Sequence, residues 1–260
     1  TGSEGTLGLI TKATLKLIPK PQIRLLTMAY FNTLQEAAIC SNNIILKGLI
    51  PSTIDLIDKF TIQTIEKFNP CNLLTNKEAM LLIELDGFKQ NVEYELNILK
   101  EILIQSNAKN IIQSKSEEEN ENIWKARRSA FSALSQLKPN IITEDIVIPR
   151  DKIVDFINKV QELSEKYNII AAVMGHIGDG NIHPNFALDL KTQKEDFEKL
   201  KDELFYYALS INGTLSGEHG IGNQKQKYLS KALNPNTHKL MKQIKNLLDE
   251  NDIFNSGKSL

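Results

Sequence analysis

The segment from Ile169 to Phe186 predicts two strands around a tight turn, and this antiparallel pair limits every fold open to the chain. At its centre, GHIGDGNIHPN carries Asp179-Gly180, a dipeptide that favours a two-residue type I′ turn. With those residues central, Gly178 opposes Asn181, Ile177 opposes Ile182, and His176 opposes His183. Directly opposed residues share a face, with Cβ atoms about 4.5–5.5 Å apart. Both imidazoles then point one way, while the two isoleucines point into the core. Asn185 returns to the histidine side. Pro184 cannot donate to a ladder and predicts an edge position for its strand.

Around this hairpin, short apolar runs alternate with amphipathic segments. Strands are predicted at 25–31, 79–85 and 141–148, with a short one at 214–218. Helices are predicted at 33–47, 92–105, 117–137, 151–167, 193–210 and 235–249. Asn32 is the candidate cap of the first, with Gly48 past its end. The third carries Trp124 as a core anchor. In the fourth, Ile153, Phe156, Ile157, Val160 and Leu163 make one stripe. Asn234 caps the last, with Pro235 in its first turn. The opening TGSEGTLGLITKATLKLIPKP reads as a glycine-rich turn followed by a strand through Leu15 and Leu17. Pro19-Lys20-Pro21 ends that strand and marks the best boundary. The interleaving predicts an α+β domain: a mixed or antiparallel sheet with helices on one face.

Composition narrows the function classes. A net charge of −1 over 260 residues gives no field that would attract nucleic acid. No apolar run approaches the ~18 residues needed to cross a bilayer, and residues 1–10 lack a basic start followed by an apolar stretch. Cys40 and Cys71 make no metal-ligand spacing, so two free thiols in a reduced cytosolic protein are expected. The absence of an initiator Met and the start inside a glycine-rich loop lead to the expectation of a fragment lacking an upstream domain.

Two imidazoles brought together repel if protonated and have little reason to pair if neutral. A divalent metal resolves this, since neutral imidazole is a common ligand for it. A polar hairpin with incidental histidines is the bland alternative, but the turn chemistry favours His176 and His183 as ligands. A catalytic site of this kind commonly adds one carboxylate and keeps a position open. Glu218 in TLSGEHGIG is the best candidate, because Gly217, Gly220 and Gly222 allow close backbone approach. A plain surface carboxylate remains the alternative there. His219 shares the site only if the backbone turns, since neighbours along a strand face opposite ways. His238 lies in a polar helix and reads as solvated.

HIGDGNIH at 176–183 with SGEHGIG at 216–222 resembles the C-terminal domain of FAD-linked 2-hydroxy-acid dehydrogenases, in the vanillyl-alcohol oxidase superfamily. TGSEGTLGLITKATLKLIPKP, IWKARRSA at 123–130, EDIVIPR at 144–150 and NSGK at 255–258 extend the likeness over nearly the whole chain. The resemblance implies a ferredoxin-like α+β domain from 21 to 260 and, in residues 1–20, the tail of a truncated FAD-binding domain. It implies FAD held mostly by that missing domain, with Gly2, Glu4, Gly5, Ile10, Asn255 and Lys258 as flavin-side contacts. His176, His183 and Glu218 would hold a divalent metal, zinc first, with manganese and iron also compatible. His219 would be the general base, Arg127 the substrate-carboxylate clamp, and Asn185 a substrate hydrogen-bonding group. From sequence alone, Arg127 reads as a helix-surface charge beside Arg128.

The same likeness implies other oxidase subunits as partners, including an iron–sulfur electron acceptor. It also implies a cytoplasmic location, with peripheral association at the inner membrane face. Relatives acting on dicarboxylates carry a lysine where this chain has Thr143, which favours a small monocarboxylate such as glycolate or D-lactate. NSGK replaces the usual NPGK, which weakens the assignment of Asn255 and Lys258. A metal-dependent hydrolase and an assembly module with a structural metal are the competing readings.

Overall fold

The computed structural model describes residues 1–260. The first half holds β1 (Ile23–Phe31), α1 (Leu34–Leu46), β2 (Thr53–Asp58), α2 (Lys59–Phe68), β3 (Ala79–Gly87), α3 (Lys89–Gln105) and β4 (Asn110–Gln113). Two helices, α4 (Glu117–Arg128) and α5 (Ala130–Leu134), lead into β5 (Asn140–Thr143) and β6 (Ile146–Val147). Then come α6 (Ile153–Tyr167), β7 (Ile170–His176), β8 (Asn181–Leu188), α7 (Leu190–Ser210), α8 (Leu229–Ala232) and α9 (Pro235–Leu248).

The strands form one sheet in the order β4-β1-β3-β2-β7-β8-β5, with β6 also beside β8. Every strand pairing in it is antiparallel. The expected α+β class is therefore met by a purely antiparallel sheet. The order β4-β1-β3-β2 is that of a ferredoxin-like unit. A second unit follows with β6, α6, β7, β8 and α7, its fourth strand reduced to a single bridge between Thr214 and Val147. The two units meet where β2 pairs with β7: Asp55 opposes His176, Leu56 opposes Gly175, and Ile57 opposes Met174.

Side-chain alternation sorts the core into two layers. Phe31, Leu56, Leu81, Ile83, Val173, Ile182 and Phe186 face α1, α3, α6 and α7. The predicted stripe of α6 is buried there in full. On the opposite face, Leu26, Tyr30, Ile57, Leu82 and Met174 pack with residues of α2, α4 and α5. The expectation of helices on one face thus holds for the larger layer, while shorter helices cover part of the second. Asn181, His183 and Asn185 project on that second side.

Several local expectations change for physical reasons. Pro184 lies inside the sheet, with β7 on one side and β5 and β6 on the other. The Glu144 N–H donates to the Pro184 carbonyl at 2.9 Å, but the proline has no N–H to return the bond. The single strand predicted at 141–148 breaks there into β5 and β6. Residues 14–17 form no strand, and Leu15 and Leu17 are exposed. The predicted helix at 117–137 splits at Ser129. Thr33, not Asn32, caps α1 by accepting from the Glu36 N–H. β2, α2 and β4 were not anticipated.

Candidate metal and substrate site

The hairpin carries a four-residue turn rather than a two-residue one. His176 opposes Asn181, and His183 opposes Met174. Asp179 accepts the Asn181 N–H at 3.1 Å, and Gly180 adopts a φ of +82°. The pairing is shifted by two residues from the one expected, and a shift of two leaves every side chain on its face. The imidazoles are therefore diagonal neighbours on one side, with ring centroids 5.4 Å apart.

The loop after Thr214 is folded by two carboxylates distant in sequence. Asp145 Oδ2 accepts the Ser216 hydroxyl at 2.6 Å and the backbone N–H groups of Gly217, Glu218 and His219 at 2.8, 3.0 and 2.9 Å. Burial alone would raise the Asp145 pKa. These four donors win and hold it far below the ordinary carboxylate range. Glu4 accepts the N–H groups of Ile221 and Gly222 at 2.8 and 2.9 Å, with the Ser259 hydroxyl on the same carboxylate. Burial opposes ionisation there too, yet these hydrogen bonds hold Glu4 below its usual range.

The backbone turn at 216–219 brings both neighbours to the histidines. Glu218 Oε1 lies 3.3 Å from His183 Nε2 and 3.6 Å from His176 Nε2. One ligand atom from each of these residues falls within 4.8 Å of the others. The His219 ring stacks on His183 with centroids 5.4 Å apart. The expected strand at 214–218 is limited to the Thr214 bridge, because Asp145 takes the donors a ladder would need.

The surroundings suit a cation. His176 Nδ1 sits 2.7 Å from Asp55 Oδ1, and this bond raises the His176 pKa. Burial, and next the charge of His176, lower that of His183. With its proton on Nδ1, His176 turns a lone pair toward Glu218. His183 Nδ1 and Asp145 Oδ1 are both buried without a hydrogen-bond partner, 3.9 Å apart. A small rotation of the ring would join them and present His183 Nε2 as a second lone pair. Two imidazole nitrogens and a carboxylate oxygen are then acceptors facing one another, an arrangement a divalent metal satisfies.

Arg127 is placed by α4. Its Nε donates to Asp55 Oδ2 at 2.9 Å, and its side chain is 18% exposed. One turn earlier, Trp124 Nε1 donates to Glu84 Oε2 at 2.8 Å, so α4 is tied to the sheet twice. Trp124 is half-buried, an anchor through its N–H as well as its ring. Asn185 lies on the histidine side as expected, with its carboxamide engaged within the protein. Its Oδ1 accepts from Thr143 at 2.7 Å, and its Nδ2 donates to the His183 carbonyl at 2.7 Å.

The proposed flavin-side residues divide. Glu4, Gly5 and Asn255 are neighbours, with Asn255 Nδ2 donating to the Glu4 carbonyl at 2.6 Å. The Glu4 carboxylate, however, is engaged by the loop. Gly2 has a φ of +78° with open space where a Cβ would stand. Lys258 and His219 line one polar cavity of about 420 Å³, together with Thr143, Glu144 and Lys225. Ile10 is exposed in an irregular stretch. Of the expected flavin-side residues, Lys258 alone lines that polar cavity, beside His219, while Gly2 lines a separate and more apolar one. This more apolar cavity, of about 510 Å³, touches Gly2, Glu4 and Ser216 but none of the imidazoles.

Sequence reasoning missed Asp55, Glu84 and the role of Asp145. Asp145 stands in the quoted EDIVIPR, and Asp55 in TIDLID, where an acid inside an apolar run was the available signal.

Comparison with known proteins agrees with this architecture. The family model described as FAD linked oxidases, C-terminal domain, matches residues 20–259. The chain is 36% identical over 260 residues to glycolate oxidase subunit GlcD of Bacillus subtilis, covering 99% of this chain and 55% of that protein. It is 31% identical over 261 residues to the mitochondrial D-lactate dehydrogenase [cytochrome] of Arabidopsis thaliana, covering 99% and 46%. The chain thus spans about half the length of these relatives. A p-cresol methylhydroxylase structure with substrate bound shares the fold, with a TM-score of 0.73 at 12% identity over 93% of this chain and 53% of that one.

Proposed function

Since this chain belongs to the FAD-linked oxidases, carrying their C-terminal domain, we propose that it is the substrate- and metal-binding part of a dehydrogenase for a small 2-hydroxy acid. Glycolate and D-lactate are the proposed substrates. The observation that carries this reading is the convergence of His176, His183 and Glu218 within 4.8 Å beside an arginine held on the same network.

His176, His183 and Glu218 would hold the metal, with zinc the first choice and manganese or iron compatible with the same donors. A metal there would supply Lewis-acid polarisation of the substrate. Arg127 orients the substrate: with Nε committed to Asp55, its two Nη groups are free to receive a carboxylate as a fork. His219 accepts the hydroxyl proton on its ring, fixed in place by its backbone bond to Asp145 and its stacking on His183. FAD, when bound, would supply the hydride-accepting chemistry that, with the proton taken by His219, converts the 2-hydroxy acid to the 2-oxo acid. Lys258 and His219, which share a polar cavity, line the side toward that cofactor, Gly2 and Ile10 contribute from the opening segment, and Glu4, Gly5 and Asn255 brace the loop. Residues 1–20 contribute to the FAD-binding part.

Thr143 is engaged with Asn185 and offers no cation to a second carboxylate, which favours a monocarboxylate. The glycolate oxidase relatives are subunits by name, which supports assembly with other subunits; an iron–sulfur protein as electron acceptor is part of the proposal alone. No helix is long and apolar enough to cross a membrane; we assign the protein to the cytoplasm, in peripheral contact with the inner membrane face.

The test is dye reduction by the full-length, flavin-loaded protein supplied with glycolate or D-lactate. Substrate-dependent reduction is expected. Turnover of esters or amides without flavin, and no reduction with any 2-hydroxy acid, would contradict the reading in favour of hydrolysis.

A further inference from the structure

We propose that Asp55 is a positioning residue that couples the metal centre to the substrate clamp, setting the tautomer of His176 with one oxygen and the orientation of Arg127 with the other. This rests on the metal and substrate reading above and assigns a role to a residue that touches neither ligand.

The geometry begins at the seam between the two ferredoxin-like units. Asp55 and His176 are cross-strand partners there, so their side chains leave the same face close together. Asp55 is 2% exposed, inside a strand whose other residues are mostly apolar. A buried carboxylate is costly unless its oxygens are matched by donors. Both are matched: Oδ1 by His176 Nδ1 at 2.7 Å, and Oδ2 by Arg127 Nε at 2.9 Å.

Each bond fixes something the site needs. A proton held on Nδ1 leaves Nε2 as the lone pair, and Nε2 is the atom that faces Glu218. Carboxylate partners of this kind orient metal-bound imidazoles and strengthen their basicity. On the other side, using Nε as the tether leaves the Nη pair free and holds the guanidinium plane. Asp55 also supplies the negative charge that lets an arginine and a metal cation stand near one another, since an uncompensated Arg127 would repel the ion.

The Trp124–Glu84 bond makes this separable from folding. It ties α4 to the sheet independently of Asp55, so Asp55→Asn leaves the helix docked. An asparagine keeps the shape but offers one acceptor oxygen in place of two. Its amide turns N–H groups toward either His176 or Arg127.

Three measurements test the proposal in the full-length protein. Long-range ¹H–¹⁵N NMR of the wild type is expected to find His176 protonated on Nδ1. Zinc titration is expected to show binding weakened about 10–100-fold in Asp55→Asn, as for loss of an outer-sphere partner. The KM for glycolate should rise in Asp55→Asn and also in Arg127→Met, while zinc affinity falls only in the former. Wild-type His176 protonated on Nε2 would overturn the proposal without recourse to any variant. So would zinc affinity undiminished in Asp55→Asn, or a raised KM in that variant with zinc binding unchanged. Failure of the wild type itself to bind zinc would instead sink the metal centre, and this coupling with it.

Discussion

The backbone N–H of Glu218 meets Asp145 Oδ2 at 3.0 Å, so one carboxylate places another. Asp145 gathers four donors from the 216–219 loop while its second oxygen lies near His183. The loop has almost no ladder pairing of its own, and its conformation depends on that anion. Replacing Asp145 with alanine strands several backbone donors. Zinc affinity is expected to fall by at least ~10-fold, with stability lowered by about 1–3 kcal/mol. Titration calorimetry and urea unfolding check the two effects separately. Unchanged zinc binding would contradict the anchoring role.

Gly175 permits the approach of β7 to β8 beside the histidines. A Cβ there would fall 2.4 Å from the Asn181 carbonyl oxygen and 2.8 Å from Ile182 Cα. Both are backbone atoms of an interior strand and cannot swing away. Gly175→Ala should cost about 1–3 kcal/mol by overpacking. Gly8→Ala, where a Cβ meets nothing within 4 Å, should change stability by less than ~0.5 kcal/mol. Paired urea-denaturation curves decide this, and equal effects at the two positions would contradict it.

Trp124→Phe keeps an aromatic ring, though a smaller one, and removes the donor to Glu84. Glu84 is 5% exposed and keeps Ser52 as its other side-chain donor. An under-satisfied buried carboxylate should destabilise by about 1–3 kcal/mol. A matching rise in the KM for glycolate is expected, because α4 also carries Arg127. Loss of stability with no change in KM would show that Asp55 alone fixes the arginine.

Asp58 predicts a pH effect on folding. It caps α2 through the Thr61 N–H and accepts the Val173 N–H, and it is buried at the seam. Burial dominates these bonds and pushes its pKa up from 3.8 to about 6. Between those values the folded chain keeps a proton that the unfolded chain releases, so this residue's contribution declines as pH rises across the window. It is largest below about pH 4 and levels off above about pH 6. Asp58→Asn cannot titrate, so the stability gap between wild type and variant should narrow as pH rises from 4 to 6. Urea midpoints at both ends of the range measure it, and a constant or widening gap would contradict it.

Much of the site could be read before the fold was known, and the reason is parity. His176, His183 and Asn185 share a face under any even shift of the hairpin, so mistaking the turn length did no harm to their placement. The turn itself was misjudged because Ile177 is buried and Asp179 folds back on Asn181, which lengthens the loop beyond its Asp-Gly signal. β2 was overlooked because Asp55 and Asp58 interrupt an apolar run. Those acids lie in the sheet because donors from α4, β7 and the start of α2 reach them. Asp145 was passed over for a related reason, since its partners are one hydroxyl and three backbone donors 71 to 74 residues away. Local pattern carries face and period; it carries nothing about which distant donors converge on a buried acid.

The most direct test is metal analysis after reconstitution, comparing the wild type with His176→Ala and Glu218→Ala. About one divalent ion per chain is expected in the wild type, with marked loss in both variants. Equal, near-zero metal in all three proteins would contradict the account at its centre.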